Sequence, residues 1–148
     1  MNINTSDSLK SSLQNFVLER GPYLYHVTFT TAVQTSDIQV ITSFNFLIKC
    51  LNRALFGHNY SKNDNHLTGF VFAERQANAI IHFHVMVSSC ILLEGMTKTD
   101  FESVLHAQLS KVKTPKSKRP MFHPIGIQVD HISNSEGLVD YLTKTMKG

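Results

Sequence analysis

The sequence predicts an α+β domain built on a four-stranded antiparallel sheet, and three observations support this. Strand-like and helix-like patterns follow one another as β-α-β-β-α-β, with one more helical pattern at the end. The strand-like stretches alternate apolar and polar residues, the mark of a sheet with one face in a core. The chain has 148 residues and 42% apolar composition, enough for one domain with a sizeable core.

The elements can be justified in order. Residues 1–15 read as a flexible lead-in, or as a short helix around Leu9 to Leu18. Residues 23–31 form the first strand, where Tyr25, Val27 and Phe29 alternate with His26, Thr28 and Thr30. Residues 35–56 are the longest helix, with Ile38, Ile41, Phe44, Ile48, Leu51 and Leu55 on one face and Ser36 or Thr35 as cap. A polar loop spans 57–65. Strands follow over 66–75 and 79–88, joined by a tight connection in which Asn78 tolerates the left-handed conformation. Residues 99–113 are a second helix, with Asp100 favourably placed in its first turn. Residues 125–131 are the fourth strand, where Ile125, Ile127 and Val129 alternate with Gln128 and Asp130. The last helix covers 136–147, capped by Ser135 or Asn134, with Leu138, Val139, Leu142 and Met146 at helical spacing. This order is the split βαβ, ferredoxin-like plan, with two helices on one face and an open face opposite.

Composition narrows the function classes. No run of 18 or more apolar residues exists, so no membrane span is expected. The polar start, residues 1–12, lacks a signal-peptide core. Cys50 and Cys90 read as reduced thiols, which suits a cytoplasmic protein, and zinc-finger spacings are absent. The net charge of +3 is too mild to prove nucleic-acid binding. Its distribution says more: residues 111–120 carry five basic side chains, Lys116, Lys118 and Arg119 among them, and Pro115 and Pro120 make the segment a loop. Such a loop can contact phosphates, although solvated, mobile connections are often as basic.

The chemistry centres on Ile80-Ile-His-Phe-His-Val-Met-Val87. Strand side chains alternate, so His82 and His84 share a face while Phe83 and Val85 point into the core. A hairpin centred on Asn78 sets Glu74 opposite His82 on that face, with Cβ atoms about 5 Å apart. A shift of half a residue would turn Glu74 away. Two imidazoles and one carboxylate make a mixed site with open positions, suited to Mn²⁺ or Mg²⁺ acting on a phosphate. Asp130 and Gln128 are candidate further ligands or supporting groups. His26 is a weaker candidate of the same kind. Phe70 and Phe72 share the parity of Glu74. They can stack bases, but packing under the terminal helix is the favoured reading.

Near the end, Tyr141 and Lys144 lie three apart, on one helical face. A phenol with a pKa near 10 is a poor nucleophile unaided. A neighbouring ammonium can stabilise phenolate or orient a phosphate.

Taken together, these residues resemble the HUH (His-hydrophobic-His) endonuclease superfamily, of the single-tyrosine rolling-circle replication initiator type. His82-Phe83-His84 matches the naming motif, Tyr141-Leu-Thr-Lys144 is similar to the Tyr-x-x-Lys motif, and Val27-Thr-Phe-Thr-Thr31 to the first, structural one. Glu74 falls where many initiators carry a third metal ligand. The resemblance implies nicking of single-stranded DNA through a 5′-phosphotyrosine, with Tyr141 as nucleophile, Lys144 assisting and Glu74, His82 and His84 on the metal. It also implies an origin or hairpin as substrate. A separate helicase is expected too, since no Gly-rich phosphate loop of the helicase kind is present. Two alternatives stay open: a single-strand transposase of the same superfamily, and a non-enzymatic module of the RNA-recognition type.

Overall fold

A computed structural model describes residues 5–76, 80–114 and 118–144. It has helix α1 (Thr5–Glu19), strand β1 (Tyr23–Thr30), helix α2 (Asp37–Phe56), strands β2 (Gly69–Arg75) and β3 (Ile81–Ser88), short helix α3 (Ile91–Glu94), helix α4 (Lys98–Leu109), strand β4 (Gln128–His131) and helix α5 (Ser135–Thr143). The four strands form one antiparallel sheet in the order β2-β3-β1-β4. The expected α+β, split βαβ plan is therefore present.

One sheet face forms the main core. Tyr25, Val27 and Phe29 of β1 meet Ile81, Phe83, Val85 and Val87 of β3, covered by α2 and α4. Phe44 of α2 stacks on Phe83 at 4.7 Å, and Tyr25 stacks on Phe101 of α4 at 4.8 Å. Burying each such side chain contributes about 1.5–3 kcal/mol. Thr31, buried just past β1, ties the sheet at this end. Its amide donates to the carbonyl of Ile81, and its Oγ1 accepts from the Ile81 amide at 3.0 Å. At the other end, Gly69 of β2 is required by close approach, because a Cβ there would lie 2.0 Å from the Met86 carbonyl oxygen.

Four expectations need correction, and at the lead-in the helix is the alternative taken. It is a fifteen-residue helix, Thr5–Glu19, longer than the Leu9–Leu18 stretch and anchored by fully buried Val17. It docks on α5 through a 2.8 Å hydrogen bond from Gln14 Nε2 to Thr143 Oγ1. The second sheet face is thus not open throughout: α1 and α5 cover its Phe70–Met86 end. The buried stripe of α2 runs through Val40, Phe44, Leu47 and Leu51, leaving Ile38 and Ile41 exposed. The stripe through Ile38 shares Phe44 and Leu51 with the observed one, and tertiary packing selects the latter.

The fourth strand starts at Gln128 rather than residue 125. Phe122 bridges Thr31 and the His123 amide donates to the Thr30 carbonyl, whereas Gln128 pairs with Thr28. Residues 124–127 therefore arch away from the edge, and Ile125 is 96% exposed instead of core-facing. Pro124, which has no amide to give, starts the arch. Finally, the second helix spans Lys98–Leu109, capped by Thr97, and α3 precedes it where no helix is expected. The caps of α2 and α5 are Ser36 and Asn134, one of the two alternatives in each case. Asn78, Lys116 and Met146 lie outside the described residues.

Candidate metal and nucleophile site

Three rows of side chains cross the second sheet face. Glu74 pairs with His82 and His82 with Thr30. Phe72 pairs with His84, His84 with Thr28, and Thr28 with Gln128. Phe70 pairs with Met86, Met86 with His26, and His26 with Asp130. The hairpin register is the one that sets Glu74 on the face of the histidines.

Glu74 also reaches diagonally, so that its Oε2 lies 3.4 Å from His84 Nε2. Its other oxygen accepts from Gln76 Nε2 at 3.0 Å. The far edge of the His84 ring is held as well, because Nδ1 lies 3.2 Å from His26 Nε2. Thr28 Oγ1 lies 3.4 Å from the same His26 nitrogen. His82 Nδ1 lies 3.4 Å from Thr30 Oγ1, and its ring is nearly parallel to that of His84, with centroids 6.4 Å apart. Burial lowers the pKa of His26, the neighbouring His84 lowers it further, and Asp130 opposes both.

Two donors each about 2.1 Å from one cation lie about 3–3.4 Å apart. Glu74 Oε2 and His84 Nε2 meet that spacing. Among the described residues, no three His, Cys, Asp or Glu side chains converge as a ready metal cluster. His82 is the member that stands apart, turned to Thr30. The donor chemistry nonetheless fits a hard or borderline divalent cation: a carboxylate oxygen and two imidazole nitrogens on one rigid strand pair.

A cleft of about 560 Å³ opens beside this group. Its walls include Glu74, Arg75, His84, Leu13 of α1 and Leu142 of α5. Arg75 is held away by an ion pair with Asp37 at 2.5 Å. Tyr141, one residue before Leu142, is 56% exposed, with the Lys144 ammonium 4.1 Å from its ring centroid. The phenol oxygen makes no hydrogen bond within the described residues. The helix is held by Val139, 1% exposed, and by Thr143, whose hydroxyl lies 2.7 Å from the Val139 carbonyl oxygen.

Phe70 and Phe72 pack against Val17, Met86 and Val139, and Phe16 meets Phe70 edge-on at 5.6 Å. They support the helices rather than offering a base-stacking platform. Gln128 and Asp130 lie on the histidine face, exposed, in the rows of Thr28 and His26. Lys118 and Arg119 are exposed in the basic loop, whose ends are closed by hydrogen bonds from the Lys118 amide to the Thr114 carbonyl and from the Thr114 amide to that of Arg119. Sequence reasoning undervalued His26. Its parity on β1 was the available signal, but its contact with His84 depends on a long-range pairing. Cys50 and Cys90 are both free, and no helix among the described residues is long and apolar enough to cross a membrane. Comparison with protein-family models, curated proteins and solved structures gave no match.

Proposed function

We propose that this protein is a metal-dependent endonuclease and strand transferase for single-stranded DNA, of the single-tyrosine replication-initiator type. One observation carries the reading. Glu74, the cross-strand partner of His82, stands 3.4 Å from His84 at a cleft walled partly by the helix that bears Tyr141. Glu74, His82 and His84 would hold Mn²⁺ or Mg²⁺, which when bound offsets the charge of the scissile phosphate.

Tyr141 is the nucleophile. Its oxygen bonds to phosphorus as the bond from phosphorus to the 3′ oxygen breaks. The phenolic proton passes to solvent, the departing 3′ oxygen takes up a proton, and the 5′ end stays on the tyrosine. The phosphodiester energy is conserved, so a later 3′-hydroxyl can reseal the strand without ATP. The Lys144 ammonium, 4.1 Å from the Tyr141 ring centroid, meets the phosphate charge. An unpaired sequence or hairpin at an origin is the substrate this chemistry suits. A replication role calls for a separate helicase and a cytoplasmic setting, in a bacterium or in the host of a plasmid or virus.

The test is a denaturing gel of the protein with single-stranded oligonucleotides and Mn²⁺ or Mg²⁺. A covalent protein–DNA band that requires metal and is lost in Tyr141→Phe is expected. Cleavage without an adduct would replace Tyr141 by water as nucleophile. DNA binding with no cleavage across a diverse oligonucleotide pool would leave a binding module.

A further inference from the structure

The main core is thinnest under the edge strand β2. Helices α2 and α4 stack on β3 and β1, through Phe44 on Phe83 and Phe101 on Tyr25. On β2, Gly69, Val71 and Ala73 pair with Val87, Val85 and Phe83, so they belong to the same core face. All three are nevertheless exposed. None carries a long side chain, and the Met86 carbonyl oxygen bars Gly69 from carrying any. The core therefore runs short of side-chain volume beneath this strand.

A cavity of about 160 Å³ results. Its deep walls are Phe29, Phe44, Leu51, Val85, Phe101 and Leu105, none more than 7% exposed. Its exposed members, Thr68, Gly69 and Val71, mark a mouth at the edge of the sheet. None of the lining residues is charged, and Thr68 brings the one hydroxyl. A water molecule held in such a space needs about two to four polar partners, and the deep side chains offer none. Apolar core cavities of about 150 Å³ stay dry and take up benzene.

We infer that this cavity is a binding site for a neutral, single-ring apolar molecule that enters past Thr68 and Val71. An ion there would lose its water and meet no partner, so charged ligands are excluded. The walls set the size, and Phe29, Phe44 and Phe101 offer ring faces and edges to an aromatic guest. The site is separate from the proposed cleavage chemistry, because Glu74, His82 and His84 lie on the opposite face of the sheet. It stands or falls independently of the metal and nuclease readings.

The test titrates benzene into the full chain with its Val, Leu and Ile methyl groups ¹³C-labelled. The methyl signals of Leu51, Val85 and Leu105 should shift and saturate at one benzene per chain. A Kd of about 0.1–1 mM is expected, inside the ceiling for so small a ligand. The exposed methyls of Ile38 and Ile41 should stay in place. At about ten times Kd, benzene should raise Tm by about 3–6 °C. Val85→Phe puts a ring in the space and should weaken benzene binding at least about tenfold. Val71→Phe narrows the exposed mouth, should weaken binding in the same direction, and keeps the test open if Val85→Phe does not fold. Lining methyls that do not shift, or that shift without saturating, overturn the inference. So do saturable shifts at Ile38 and Ile41 instead, or wild-type affinity in a folded Val85→Phe or in Val71→Phe.

Discussion

Phe83 and His84 are neighbours on β3, and they serve opposite purposes. Phe83 is 5% exposed and stacks on Phe44 in the main core. His84 looks the other way, between Glu74 and His26. The face of Phe83 is closed by α2 and α4. The face of His84 is divided, with α1 and α5 sealing the Phe70–Met86 end and the histidine end left beside a cleft. Stability and chemistry are thus separated by the two-residue period of a strand. Substitutions one position apart should therefore damage different properties.

The largest effect should come from the histidines. His82→Ala and His84→Ala should each lower metal-dependent cleavage by more than about 100-fold, beyond what losing a supporting partner costs. Urea unfolding should shift by only about 1 kcal/mol or less, as for partly exposed polar side chains. Full cleavage by both variants would end the division of labour. Next in size is the mirror substitution. Phe83→Ala should cost about 3–5 kcal/mol in urea unfolding, the range for emptying an aromatic core site. The folded fraction should keep its Mn²⁺ affinity, and loss of both together would show that the two faces are coupled.

Much of this division was legible in the sequence. Alternation in β1 and β3 gave the faces, and a connection centred on Asn78 gave the Glu74–His82 pairing through a short-range register. What could not be read depended on distant parts of the chain. On α2, the stripes through Ile38 and through Val40 are both helical and share Phe44, and only tertiary burial of Val40 and Leu47 chooses between them. Ile125 fits strand alternation until Pro124 interrupts the edge. The polar start of α1 hid Leu13 and Val17, which are apolar at helical spacing and fill the second cluster. His26 came into contact with His84 only once β1 was inserted between β3 and β4.

A smaller effect should separate the two halves of the second face. Tyr23, beside a register shift in β1, joins the cluster under α1 and donates its hydroxyl to the Val17 carbonyl at 2.5 Å. Tyr23→Phe should cost about 1 kcal/mol, the net worth of one hydrogen bond, and leave cleavage unchanged. Burial raises the Tyr23 pKa above the usual 10, against a smaller opposing pull from Arg20. A raised folded-state pKa means that this stabilisation is complete below the unfolded value near 10 and is lost as pH rises through the folded value. Tyr23→Phe should therefore unfold less steeply above pH 10 than the wild type. Tyr25, raised mainly by burial and then by Glu102, leaves it a remaining alkaline sensitivity.

The smallest expected effect tests the basic loop against the histidine face. Lys118 and Arg119 are exposed, with Lys118 in a left-handed backbone at φ 53°, and neither side chain is in an ion pair among the described residues. Their loop returns to the sheet through Phe122 and His123, beside Thr31 and Thr30, on the flank of the row that holds His82. A single strand that continues from the histidines over this flank would meet these charges. Each charge that meets a phosphate contributes about 0.7 to the slope of log affinity against log salt for single strands. The double variant Lys118→Gln, Arg119→Gln should therefore flatten that slope by about 1.4 if both engage DNA. Cleavage at saturating DNA should not change, because neither residue touches the reacting phosphate. An unchanged slope would confine the DNA path to the cleft beside Glu74 and His84. A lost cleavage rate at saturation would instead bring the loop into the chemistry and blur the boundary between binding and catalysis on this face.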